Sequence, residues 1–162
     1  MDDHVGTVVL VAEDDPHALS GYLEFLAGSG FTVSGSSDGE QALAAALDMS
    51  PDIIVTDMMM PRLDGFGLAG ALRADPRTRH IPVVGMTGCW NTVIQRDAQW
   101  AGVSAMLLKP FLPGHLLAEI ERVLRHARHA PSDTGAILGP GPDSEGAMPA
   151  GLRNAARRRA QR

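Results

Sequence analysis

Residues 51–65 read PDIIVTDMMMPRLDG. Ile53, Ile54, Val55 and Thr56 make a β-branched run bounded by Pro51 and Asp57. The run is too short for a buried helix, and its lack of polar alternation fits a strand covered on both faces. Two further stretches have the same character, TVVLVAE at 7–13 and HIPVVGMT at 80–87. GFTVSGSS at 30–37 and VSAMLL at 103–108 are weaker strand candidates, being more polar or shorter.

Helical periodicity fills the gaps between these strands. Leu19, Leu23 and Leu26 recur at helical spacing, as do Ala42, Leu43, Ala46 and Leu47, and then Phe66, Leu68, Ala71 and Leu72. NTVIQRDAQWAG at 91–102 follows the fourth strand candidate. PGHLLAEIERVLRHARH at 113–129 follows the fifth, with Leu116, Leu117, Ile120, Val123 and Leu124 in one wide apolar stripe. Stop signals stand at Gly28–Gly30, Pro51, Asp75–Arg77 and Gly102. Strands alternating with single helices require crossovers, so the fold class is α/β: a doubly wound, five-stranded parallel sheet with five flanking helices. The pattern spans residues 5–128; residues 129–162 are rich in proline, glycine and alanine and read as a low-complexity, disordered basic tail.

The 162 residues carry a net charge of −5, spread unevenly. Eight basic and sixteen acidic residues lie up to Arg125, whereas six arginines face three acids from His126 onward. The terminal LRNAARRRAQR is the one segment that invites nucleic acid, and its five arginines are too few to make that the main function. No apolar run reaches the roughly 18 residues that span a bilayer, and the N-terminus is acidic where a secretory signal is basic. A cytoplasmic protein without membrane contact is therefore expected. Cys89, the single cysteine, rules out an intramolecular disulfide and a cysteine metal cluster. The six histidines fall in different units without zinc-ligand spacing.

In an open parallel sheet, ligands bind outside the carboxyl ends of the strands. Collected at that edge, the chain offers Glu13, Asp14 and Asp15 after the first strand, Asp57 after the third, Thr87 after the fourth and Lys109 after the fifth. Asp15 also suits the cap of the following helix. Crowded carboxylates repel unless a cation is bound, and hard oxygen ligands suit Mg²⁺. Lys109 is the only lysine beside thirteen arginines, and a compact ammonium fits a narrow oxyanion pocket that a guanidinium fork does not. A cation, a lysine and a hydroxyl around one aspartate are the equipment of phosphoryl transfer, and an aspartate can itself be the nucleophile.

Taken together, VLVAEDDP, PDIIVTDMMMPRLDG, IPVVGMTG and LLKPF resemble the receiver domain of two-component response regulators over residues 5–128. The resemblance implies a flavodoxin-like sheet in the order 2-1-3-4-5. It implies that Glu13, Asp14, Asp57 and the backbone carbonyl of Met59 bind Mg²⁺, that Asp57 accepts the phosphoryl group, and that Thr87 and Lys109 contact it. It also implies a cis peptide before Pro110, and a turn through Pro61 and Gly65. The expected partners are a sensor histidine kinase or histidine phosphotransfer protein upstream and a downstream protein docking on the fourth and fifth helices. The 34 residues after Arg128 leave no room for a DNA-binding output domain, so a stand-alone phosphoacceptor rather than a turnover enzyme is expected.

Three departures from the family pattern stand out. Met106 occupies the place of an aromatic residue, which motivates an alternative reading as a phosphorylation-independent binding module. Gly88 is followed by Cys89 and Trp90, which are expected to open the fourth helix. Glu13 replaces the commoner aspartate. A haloacid dehalogenase type of phosphatase would need a second aspartate two residues after Asp57, where Met59 stands.

Overall fold

The structure, a computed structural model, describes residues 4–129. The expected tail therefore lies, from residue 130 on, outside the described residues. The elements run β1 (Val8–Ala12), α1 (Pro16–Gly28), β2 (Thr32–Ser36), α2 (Gly39–Met49), β3 (Ile53–Asp57), α3 (Gly65–Ala74), β4 (Val83–Thr87), α4 (Thr92–Ala101), β5 (Ala105–Leu108) and α5 (Pro113–His129). The five strands form one parallel sheet in the order β2-β1-β3-β4-β5, as the resemblance implies.

Side-chain alternation along the strands sorts the core into two layers. Leu10, Ile54 and Val83 face α2, α3 and α4, where they meet Ala42, Leu68 and Leu72. Val9, Val11, Ile53 and Val55 face α1 and α5, where they meet Leu26, Leu116 and Ile120. β3 and β4, IIVTD and VVGMT, are buried along their whole length, and fully burying each of their aliphatic side chains stabilises the fold by about 1.5–3 kcal/mol. β2 lies at the sheet edge with Thr32 and Gly35 exposed, which explains its polar sequence.

Capping side chains set where four helices begin. Asp15, Asp38, Asp64 and Asn91 each accept bonds from amides of the first turn of α1, α2, α3 and α4. The last of these corrects one expectation: Asn91 Oδ1 takes the amides of Val93 and Ile94, so α4 starts at Thr92 and Cys89 and Trp90 lie in the preceding loop. β5 is also shorter than VSAMLL. The Val103 amide is spent on the Ala98 carbonyl at 3.0 Å, closing α4, which ends at Gly102 with φ +73°. Among the described residues no helix is long and apolar enough to cross a membrane.

Candidate functional site

Parallel strands put all their carboxyl ends on one edge, and Glu13, Asp14, Asp57, Thr87 and Lys109 are gathered there. Glu13 directly follows β1, Asp57 and Thr87 close β3 and β4, and Lys109 directly follows β5. Carboxylate oxygens of Glu13, Asp14 and Asp57 all lie within 4.8 Å of one another. Glu13 is 1% exposed and Asp57 8%, whereas Asp14 is open to solvent.

Lys109 holds the two buried acids together. Its Nζ donates to Glu13 Oε2 at 2.9 Å and to Asp57 Oδ2 at 3.0 Å. Backbone amides take the other oxygens: Asp15 N donates to Glu13 Oε1 at 3.2 Å and Met59 N to Asp57 Oδ1 at 3.0 Å. Burial pushes the Glu13 carboxyl above its ordinary range, with the Lys109 bond pulling the other way. Burial also works against the Lys109 ammonium, but its bonds to Glu13 and Asp57 outweigh that and hold its pKa above the ordinary lysine value. With all three acids ionised, one ammonium leaves two negative charges uncompensated. A divalent cation with oxygen preference fits that donor set.

Thr87 is 2% exposed, and its hydroxyl is turned toward the next loop. Oγ1 donates to the Cys89 carbonyl at 2.9 Å and accepts from the Cys89 amide at 3.2 Å. Asp15 serves as the α1 cap, with Oδ1 accepting from His17 N at 2.8 Å and Ala18 N at 3.2 Å, and these amides hold its carboxyl below the usual range. The Met59 side chain is 68% exposed; only its amide is bonded to Asp57. The Lys109–Pro110 peptide is cis.

Local sequence explains how the loop after Asp57 is held. A Cβ on Gly65 would stand 2.6 Å from the Asp57 carbonyl oxygen and 2.7 Å from Met58 Cα, so only glycine lets α3 begin this close to β3. Met58 N bonds the Met86 carbonyl at 2.9 Å, continuing the ladder past Asp57. One contributor escaped the sequence reading. Arg62 in this loop, at φ +66°, donates through Nε to Asp38 Oδ2 at 3.0 Å, tying the loop to the start of α2. The Asp38-to-Gln41 spacing does show a helix cap in the sequence, but nothing local marks Arg62 as its ion partner.

Met106 points back into the sheet rather than out of it. It packs against the α2–α4 core layer, in the space left by Gly85, where an added Cβ would collide with Met106 Sδ and lie 2.7 Å from Met58 Sδ. Around the same edge several large apolar side chains are exposed: Trp90 at 43%, Val93, Leu108 and Leu112.

Comparison with known proteins identifies the fold and the family. Residues 9–121 match the family model described as the response regulator receiver domain. The chain is 32% identical over 125 residues to the DNA-binding response regulator MtrA of Mycolicibacterium smegmatis, covering 77% of this chain and 54% of that protein. It is 33% identical over 137 residues to the DNA-binding dual master transcriptional regulator RpaA of Synechocystis, covering 83% of this chain and 56% of that protein. The chain thus spans about half the length of these curated relatives. Among solved structures, the chemotaxis protein CheY4 of Vibrio cholerae superposes with a TM-score of 0.70 at 28% identity, over 72% of this chain and 98% of that one. The receiver domain of the sensor histidine kinase PA1611 from Pseudomonas aeruginosa, described with a magnesium ion coordinated in its active-site cleft, gives 0.69 at 27%, over 75% and 99%. The chain belongs to the response regulator receiver domain family of two-component signal transduction.

Proposed function

We propose that this chain is a receiver whose Asp57 accepts a phosphoryl group from a phosphohistidine on a sensor kinase or phosphotransfer protein. The observation that carries this reading is the convergence of Glu13, Asp14, Asp57 and Lys109 within hydrogen-bonding and metal-ligating reach at one sheet edge. An Asp57 carboxylate oxygen attacks phosphorus in line with the departing imidazole nitrogen. As the O–P bond forms the N–P bond breaks, and the imidazole leaves with its electron pair. Such a transfer needs positioning and charge neutralisation more than covalent help.

Each neighbour has a role the geometry supports. The Met59 amide and the Lys109 ammonium, now on the Asp57 oxygens, are placed to take phosphoryl oxygens. Thr87 can release Cys89 and swing its hydroxyl toward the new anion. Glu13, Asp14 and Asp57, with the Met59 carbonyl as the family resemblance implies, would hold Mg²⁺, which supplies charge neutralisation when bound. The product is an acyl phosphate that later loses its phosphoryl group to water, so the chain is a phosphoacceptor and not a turnover catalyst.

The output is a protein contact. Trp90, Val93, Leu108 and Leu112 expose apolar surface on the loops and elements from β4 to the start of α5, and aromatic anchors are enriched at interfaces. A partner docking at the fourth and fifth helices would read movement of Thr87 and its loop there. The aspartyl linkage is tested by loading the protein from phosphoramidate with Mg²⁺ and treating it with hydroxylamine. Conversion of residue 57 to the hydroxamate is expected; a hydroxylamine-resistant phosphate, or a hydroxamate at another acid, would refute the assignment.

A further inference from the structure

The opposite edge of the sheet carries a second charged site that the phosphoacceptor chemistry does not use. Just ahead of β4 and β5, a cavity of about 470 Å³ opens between the α3–β4 loop, the α4–β5 turn and the last turns of α5. Arg73, Arg79, His80, Arg122 and His126 line it. In a chain with eight basic residues up to Arg125, three of the eight gather here.

Two of the three arginines, Arg73 and Arg79, are not neutralised by a carboxylate among the described residues. Arg73 is fixed by carbonyls alone: Nη1 donates to Arg79 O at 2.6 Å and Ile81 O at 2.9 Å, and Nε and Nη2 both reach Gly102 O, at 3.2 and 2.7 Å. Those bonds clamp the two loops that wall the cavity, but carbonyl oxygens do not cancel the guanidinium charge. Neither Arg73 nor Arg79 forms an ion pair with a carboxylate among the described residues. Arg79 is exposed, and its guanidinium has no hydrogen-bond partner among the described residues. Arg122 is partly screened, with Glu119 Oε2 2.8 Å from its Nη2. Pro82, Val123 and Ala127 add apolar wall.

We infer that this cavity binds a small organic phosphate, its phosphate on Arg79 and in the field of Arg73, and its apolar or planar body against Pro82 and Val123. Guanidinium forks match phosphate oxygens in pairs, the volume suits a small ligand, and a mixed wall of apolar groups with a few convergent polar ones is the usual form of such sites.

The test is a ¹⁵N NMR titration of the full chain in EDTA, which keeps divalent cations off the carboxylate edge, using AMP, adenosine and inorganic phosphate as probes. Expected is a saturable shift with AMP, centred on the amides of 79–81, 102–104 and 122–127, leaving Glu13, Asp57 and Lys109 still. It should weaken at least tenfold in Arg79→Ala, weaken in Arg122→Ala, and be absent with adenosine. Both arginines are exposed, so the variants should keep the native spectrum. No saturable shift at millimolar AMP, an unchanged affinity in Arg79→Ala, or inorganic phosphate binding as tightly as AMP would each overturn the proposal.

Discussion

The Lys109 ammonium reaches across the sheet edge to Asp57 Oδ2 at 3.0 Å, joining residues 52 positions apart. The same nitrogen also holds Glu13, so one side chain compensates two buried carboxylates. Removing it leaves those acids facing each other without a counter-charge. Lys109→Ala should therefore cost about 1–3 kcal/mol of stability and abolish phosphoryl uptake. Lys109→Arg should recover part of the stability without restoring uptake, because a planar fork cannot stand where a point charge stood. Urea denaturation and phosphorylation assays on the three proteins check both statements.

Mg²⁺ binding should be separable from folding at Asp14. This residue is exposed, while its carboxylate lies within 4.8 Å of the Glu13 and Asp57 oxygens. Asp14→Asn is expected to leave the metal-free melting temperature unchanged or slightly raised, since it relieves repulsion. Its Mg²⁺ affinity should fall by at least tenfold, a loss that even outer-shell changes at metal sites produce, at roughly 10–100-fold. Calorimetric titration with MgCl₂ reads the affinity, and the rise in melting temperature with Mg²⁺ should shrink in parallel.

Gly85 and Met106 form a packing pair that a double-mutant cycle can expose. A Cβ at residue 85 collides with Met106 Sδ, so Gly85→Ala must displace that thioether, at a cost near the lower end of about 1–3 kcal/mol because methionine is flexible. Combining Gly85→Ala with Met106→Ala should cost less than the two singles added, by more than about 0.5 kcal/mol. If phosphorylation is read through this position, Met106→Ala should also weaken partner capture without changing phosphoryl uptake. Unchanged capture would favour a readout that bypasses Met106.

The Gln41 amide, with the Arg62 ion pair beside it, gives Asp38 a pH-dependent contribution to stability. The Gln41 amide is the main influence holding the Asp38 carboxyl below the ordinary range, with Arg62 adding to it against the opposing effect of burial. A carboxyl depressed by folding stabilises the native state above its unfolded value, near 3.9, and that contribution disappears as the pH falls through its folded value. Asp38→Asn keeps the helix cap but loses the charge, so it should cost about 1 kcal/mol at pH 7. The difference from the parent should shrink as the pH falls below the unfolded value and vanish once the carboxyl is protonated in the folded state as well, as followed by denaturation across the acid range.

Much of this architecture is legible in the sequence, and the reasons differ by element. β1, β3 and β4 announce themselves because a strand buried on both faces must be apolar throughout, as Val9 to Ala12, Ile53 to Val55 and Val83 to Met86 nearly are. β2 is faint because its edge position leaves Thr32 and Gly35 exposed and admits polar residues, whereas β5, apolar throughout as AMLL, is faint because it is only four residues long. The convergence of Glu13, Asp57, Thr87 and Lys109 follows from chain direction alone once the sheet is parallel. The start of α4 is ambiguous in the sequence although Asn91 offers a cap signal, since the preceding Cys89 and Trp90 look equally helical. The Arg73 clamp and the Arg62 tether carry no recognisable sequence pattern: an arginine that reaches the Gly102 carbonyl 29 residues away, or an aspartate 24 residues away, is settled by tertiary packing.

The most direct measurement is the intact mass of the protein after incubation with Mg²⁺ and acetyl phosphate, taken beside Asp57→Asn and an EDTA control. The account predicts a gain of one phosphoryl group that disappears in the variant and with EDTA. A gain of equal size in Asp57→Asn would contradict it, because the phosphoryl group would then rest on a residue other than the one this edge of the sheet is built around.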